Sequence, residues 1–114
     1  PGTGRVQLSR APRQTSSQQH PPATEVLMQL RAALASDPGL RIRLIGHTDN
    51  TGTPQVNAFL SLRRAEAVRN WLAGQGVATN RLTVEGRGPD EPIADNNSDT
   101  GRALNRRVMV ERVR

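Results

Sequence analysis

Apolar residues recur along this chain with two different periods. Val26, Leu27, Leu30, Ala33 and Leu34 follow an i, i+3, i+4, i+7 spacing, which places them on one face of a helix that Thr24 would cap and that stops at Asp37-Pro38-Gly39. Leu40, Ile42 and Leu44 then alternate with Arg41 and Arg43, as in a strand with one face buried and the other in water, ending at Gly46. From about Pro54 to Ala73 the helical period returns. Leu60, Ala67, Val68, Trp71 and Leu72 fall on one stripe and Arg63, Glu66, Arg69 and Asn70 on the other side, with Gly74 and Gly76 closing the helix. Arg81 to Glu85 alternates as a strand, and Gly86, Gly88, Pro89 and Pro92 open a turn-rich loop. Ser98 can cap a short helix running to Asn105, and Arg107 to Val113 reads as a last strand.

Ahead of these elements, Arg5-Val6-Gln7-Leu8 alternates as a short strand, and residues 9–22, SRAPRQTSSQQHPP, carry no apolar period and read as a flexible Ser/Gln/Pro loop. The chain therefore divides into residues 1–22, an atypical first strand plus loop, and residues 23–114, with a single domain overall. The order β-α-β-α-β-(α)-β predicts an α/β (α+β) two-layer sandwich, a mixed four-stranded sheet with helices on one face.

Composition narrows what such a domain can do. With 114 residues one core is expected, and with 2% aromatic residues that core must be aliphatic. The absence of cysteine excludes disulfide scaffolds, thiolate nucleophiles and Cys-ligated zinc. His20 and His47 alone give no metal-ligand set, and no cofactor motif is present. No apolar stretch approaches the length that spans a bilayer, so contact with a membrane is expected only through other parts of a parent protein. The net charge of +6 suggests an anionic partner, but the arginines run from Arg5 to Arg114 interleaved with acids. Phe59 and Trp71 are the only rings, both within the helical pattern and assigned to packing, so nucleic acid is not expected as a ligand. Arg102, Arg106 and Arg107 read as a solvated basic cluster with one member reaching a pocket.

Polar residues exceed what packing requires in a few places. Gly46-His47-Thr48-Asp49-Asn50-Thr51-Gly52 follows the carboxyl end of a strand, where open α/β sheets place ligands. Asn57 and Arg64, nearly two turns apart on the next helix, share its inward stripe, and an arginine there is costly unless something pairs with it. Together GHTDNTG, N-x-x-L-S-x-x-R-A-x-A-V, R-L-x-V-E-G-x-G and G-R-x-x-N-R-R-V, spread from Leu40 to Val110, resemble in order and spacing the OmpA-like peptidoglycan-binding family. Upstream of Leu40 the resemblance fades, and the Ser/Gln/Pro run stands where the family has a short loop.

The resemblance implies a β-α-β-α-β-β fold that holds the diaminopimelate of a peptidoglycan stem peptide without cleaving it. By position the family's ligand-gripping acid falls on Asp49 and its arginine on Arg64, with Thr48, Asn57 and Arg106 lining the same pocket. The chemistry is coherent in itself: the head of diaminopimelate is a zwitterion, and a carboxylate and a planar guanidinium match its ammonium and carboxylate. Asp49 and Arg64 could instead form a salt bridge that pins the turn to the helix. His47, Asp49 and Ser61 do not make a hydrolase, because Ser61 lacks the strained elbow that presents a nucleophile. The expectation is a non-enzymatic, periplasmic anchor of a larger outer- or inner-membrane-anchored envelope protein. The alternative is the same fold used for a protein or anionic lipid without peptidoglycan binding.

Overall fold

The computed structural model describes residues 5–10 and 21–113, with side chains from residue 25 onward. Its elements are β1 (Arg5–Arg10), α1 (Pro21–Ser36), β2 (Ile42–Gly46), α2 (Pro54–Gly74), a 3-10 turn (Thr79–Arg81), β3 (Leu82–Gly86), α3 (Asp99–Asn105) and β4 (Arg107–Arg112). The strands lie in the order β1-β4-β2-β3. β4 runs antiparallel to both β1 and β2, whereas β2 and β3 are parallel and need the crossover that α2 supplies.

The N-terminal boundaries differ from the sequence reading. β1 continues through Ser9 and Arg10, and α1 begins at Pro21, so Thr24 lies inside its first turn and does not cap it. Proline suits a first helical turn, where its missing N–H leaves no bond unmade. The remainder of the expected loop, Ala11 to His20, lies outside the described residues. Of the apolar positions on α1, Leu34 is fully buried and Val26, Leu27 and Leu30 pack against the core, while Ala33 is exposed. The end of α1 is closed from a distance. Arg81 donates to the carbonyls of Leu34 (2.8 Å), Asp37 (2.6 Å) and Leu40 (3.0 Å), satisfying acceptors that a helix end leaves open.

One sheet face carries the core. Ile42 and Leu44 of β2, Leu82 of β3, and Val108 and Val110 of β4 pack with Leu34, Ala65, Val68 and Leu72 from the two long helices. On the opposite face, Arg43 of β2 pairs with Glu111 of β4 (2.5 Å) and Glu85 of β3 (3.8 Å). Arg107 is buried there rather than solvated in a basic cluster, because its guanidinium donates to the Glu91 carbonyl (2.8 Å) and the Asn105 carbonyl (3.1 Å).

The inward stripe of α2 is rotated from the one its hydrophobic residues predict. Asn57, Ser61, Ala65, Val68 and Leu72 face the sheet, whereas Leu60 is 41% exposed, Ala67 is exposed and Trp71 only half-buried. Phe59, expected to pack, is 58% exposed, and the Arg63 guanidinium sits 5.5 Å from its ring centre. The cause lies at the strand ends. A Cβ at Gly46 would stand 1.7 Å from the Ser61 carbonyl oxygen, and one at Gly86 2.6 Å from the Leu62 nitrogen. The helix backbone therefore rests directly on two side-chain-free positions. Ser61 tolerates burial because its hydroxyl donates to the Ala58 carbonyl (2.8 Å) and accepts from the Gly88 N–H (2.9 Å).

Gly46→Ala forces α2 off the sheet and is expected to lower stability by roughly 1–3 kcal/mol in urea denaturation. Gly74→Ala, whose added methyl meets nothing within 4 Å, is expected to raise it by at most about 1 kcal/mol in the same measurement.

Candidate ligand-binding site

The register between β2 and β4 builds the site. Gly46 at the end of β2 pairs with Val108 at the start of β4, so the turn after β2 meets the chain entering β4. The His47 N–H donates to the Arg107 carbonyl (2.8 Å) and the Thr48 N–H to the Gly88 carbonyl (2.9 Å), fixing that turn between β4 and the loop after β3. The Thr48 hydroxyl bonds the Asp49 carbonyl (2.9 Å), and one Asp49 carboxylate oxygen accepts from the Thr51 N–H (2.9 Å). Thr53 then caps α2 by accepting from the Val56 N–H (3.2 Å), with Pro54 in its first turn.

The second Asp49 oxygen accepts from Nη1 of Arg106 at 2.7 Å, the two side chains being 10% and 11% exposed. The salt bridge that the sequence allowed between Asp49 and Arg64 is therefore made by Arg106. Arg64, half-buried on α2 beside the inward-facing Ala65, lies near enough to that pair to feel the charges of both. Its Nε is buried and has no hydrogen-bond partner among the described residues, and the same holds for Nη2 of Arg106.

Burial pushes the Asp49 carboxyl up, but the bonds from Thr51 and Arg106 outweigh it and hold the group below its ordinary pKa of 3.8. The Arg64 guanidinium is pulled below its usual range, first by burial and then by repulsion from Arg106, with Asp49 opposing. Arg64 remains a cation at neutral pH.

Asp49, Arg64 and Arg106 thus come together. Thr48 and Asn57 are buried alongside in supporting positions. The Thr48 hydroxyl is engaged in the turn, and Asn57 lies against it, its side-chain oxygen 3.9 Å from where a Cβ at Gly52 would stand. Gly52 needs its glycine for φ +90° as well.

Asn105 was not singled out by sequence reasoning. It is fully buried, accepts from the N–H groups of Ile93 (2.7 Å) and Ala94 (3.0 Å) and donates to the Ala94 carbonyl (3.0 Å), tying the loop before α3 to the residue preceding Arg106. Its presence within G-R-x-x-N-R-R-V was the only signal. Among the described residues no group of three His, Cys, Asp or Glu is placed to hold a metal, and no helix is long and apolar enough to cross a membrane.

Residues 13–106 match the sequence profile of the OmpA family. The chain belongs to that family. OmpA-family relatives include the peptidoglycan-binding protein ArfA of Mycobacterium tuberculosis, 40% identical over 86 residues that cover 75% of this chain and 26% of ArfA. The outer membrane protein Omp38 of Acinetobacter baumannii is 46% identical over 78 residues, covering 68% of this chain and 22% of Omp38. The chain thus spans about a quarter of the length of these relatives. Among solved structures, the peptidoglycan-associated lipoprotein of Burkholderia pseudomallei superposes with a TM-score of 0.77 at 29% identity, over 95% of this chain and 88% of that one. This is an OmpA-like domain whose relatives are peptidoglycan-binding and envelope proteins.

Arg106→Gln leaves the buried Asp49 carboxylate without its cation and is expected to cost about 2–3 kcal/mol in urea denaturation. Arg64→Gln, which relieves a desolvated cation, is expected to leave stability unchanged or raised in that assay. Because the folded-state pKa of Asp49 is depressed, its stabilising contribution is complete above its unfolded value and is lost as pH falls through the folded one. The difference in urea midpoint between the native chain and Asp49→Asn should therefore hold constant from pH 7 to about 5 and shrink only below about 4.

Proposed function

We propose that this domain anchors a larger envelope protein to the cell wall by holding the diaminopimelate head of a peptidoglycan stem peptide, non-covalently and from the periplasm. The observation that carries this reading is the buried Nε of Arg64, which has no hydrogen-bond partner among the described residues, near the Asp49–Arg106 pair. A charged donor kept out of water without an acceptor costs stability, and its retention is explained by a ligand carboxylate that completes it. The zwitterionic head also brings an ammonium, and Asp49 has lone pairs beyond the two used by Thr51 and Arg106. Thr48, bonded to the Asp49 carbonyl, and the buried Asn57 support the turn beside α2. Charge-assisted bonds of this kind contribute roughly 1.5–3 kcal/mol each, which suits a reversible tether of micromolar affinity or weaker.

The function is binding without catalysis. The hydroxyl of Ser61 is taken up by Ala58 and Gly88 and supports the helix contact.

A second reading, a docking domain for a protein partner, has one observation in its favour: Val56, Phe59 and Leu60 are all exposed on α2. Co-sedimentation with purified sacculi separates the two. Under the wall-anchor reading the native chain and Phe59→Ser sediment alike, whereas Asp49→Ala and Arg64→Ala each leave most of the protein in the supernatant. Equal sedimentation of both pocket variants and the native chain would remove the anchor reading.

A further inference from the structure

Asp49, Arg64 and Arg106 stand on the turn after β2, on α2 and at the entry to β4, and the loop after β3 is bonded to all three of these parts. Its Arg87 N–H donates to the Gly46 carbonyl (3.0 Å), and its Gly88 carbonyl accepts from the Thr48 N–H (2.9 Å) next to Asp49. The Gly88 N–H donates to the Ser61 hydroxyl (2.9 Å), one helical turn before Arg64. Further on, the loop is fastened to the residues on either side of Arg106. The Asn105 side chain accepts from the N–H groups of Ile93 (2.7 Å) and Ala94 (3.0 Å), and donates to the Ala94 carbonyl (3.0 Å) and the Asn96 side-chain oxygen (2.8 Å). The Arg107 guanidinium donates to the Glu91 carbonyl (2.8 Å).

A side-chain amide has two acceptor lone pairs and two N–H donors, and Asn105 uses all of them on this loop. Because Asn105 is fully buried, these bonds form out of competition with water. The loop is stiff in itself. Arg87 pairs with Glu85 and Glu91 at 2.8 Å each, and the Arg102 guanidinium of α3 donates to the Asn96 carbonyl (2.8 Å). A Cβ at Gly101 would stand 1.8 Å from the Asp95 carbonyl oxygen, so α3 rests directly on the loop backbone. Arg106 lies between α3 and β4 and belongs to neither, so the direction of its side chain follows from where its two neighbours are pinned. We infer that Asn105 is a positioning residue for ligand binding: by tying the loop after β3 to the entry of β4 it holds the Arg106 guanidinium against Asp49, and thereby sets the affinity of a site it does not itself touch. Supporting groups of this kind decide whether a binding side chain is held in register or wanders by the fraction of an ångström that matters.

This inference rests on the peptidoglycan reading for its ligand, and its test keeps the two apart. Asn105→Ala, and the milder Asn96→Ala, which removes one acceptor of the Asn105 amide, are compared with the native chain and with Ile42→Val, a core truncation at the opposite end of β2 from the site. Each is followed by carbon-13 titration of the Asp49 carboxyl and by calorimetric titration with the synthetic tripeptide L-Ala-γ-D-Glu-meso-diaminopimelate. In Asn105→Ala the Asp49 carboxyl is expected to titrate closer to its ordinary 3.8, because Arg106 no longer stays on it, and the tripeptide is expected to bind at least about ten-fold more weakly. Asn96→Ala should move both readouts in the same direction, with affinity falling about two- to three-fold. Ile42→Val should lower the urea midpoint and move neither readout, which separates positioning from loss of stability. A native Asp49 titration or a native affinity in the folded variants overturns the inference, whatever their stability. Where circular dichroism shows Asn105→Ala unfolded, Asn96→Ala decides by the same criterion. Failure of the native chain to bind the tripeptide removes the peptidoglycan reading, and the Asp49 titration then decides alone whether Asn105 holds Arg106 in place.

Discussion

Where β2 and β3 end, the sheet presents Gly46 and Gly86, and the Ser61–Leu62 backbone of α2 settles onto them at a distance no side chain would permit. That contact fixes the height of the helix above the sheet and its rotation about its own axis. Rotation decides which residues look toward the strand tips: Ser61 and Ala65 turn inward, and Arg64, one position back from Ala65, is carried to the edge nearest Asp49. A methyl group at either strand end would move the one element that brings the second guanidinium to the site.

Much of this architecture is legible in the sequence because local rules and tertiary packing agree. The alternation of Ile42, Arg43 and Leu44 survives as a buried and an ion-paired face, and the Ser98 cap is present, accepting from the Gly101 N–H at 2.9 Å. The rotation of α2 is not legible. The hydrophobic pattern puts Leu60 and Ala67 on the inward stripe beside Asn57 and does not single out Ser61 for it, but the close approach at the glycines selects small and hydrogen-bonded side chains over large apolar ones.

At the turn after β2 the sequence marks the charged residues but not how they pair. Asp49, Arg64 and Arg106 were each singled out and do come together, yet the sequence carries no register between the tip of β2 and the entry of β4, so Arg64 could not be told from Arg106 as the acid's partner. Asn105 stayed hidden for a related reason. An asparagine that organises a loop by satisfying four neighbouring groups looks, in sequence, like any polar residue at a helix end.

The OmpA-family fold thus gathers one carboxylate that is already answered and two guanidiniums that each keep a donor unmet among the described residues. The most direct test follows the Nε–H resonance of Arg64 in 15N-edited spectra while a diaminopimelate-terminated stem tripeptide is titrated into the chain. The account predicts that this signal shifts and becomes slower to exchange with solvent as the peptide saturates. An unmoved Arg64 Nε–H, with shifts gathering instead around Arg31, Gln75 and Arg81 in the groove beside the end of α1, would contradict it.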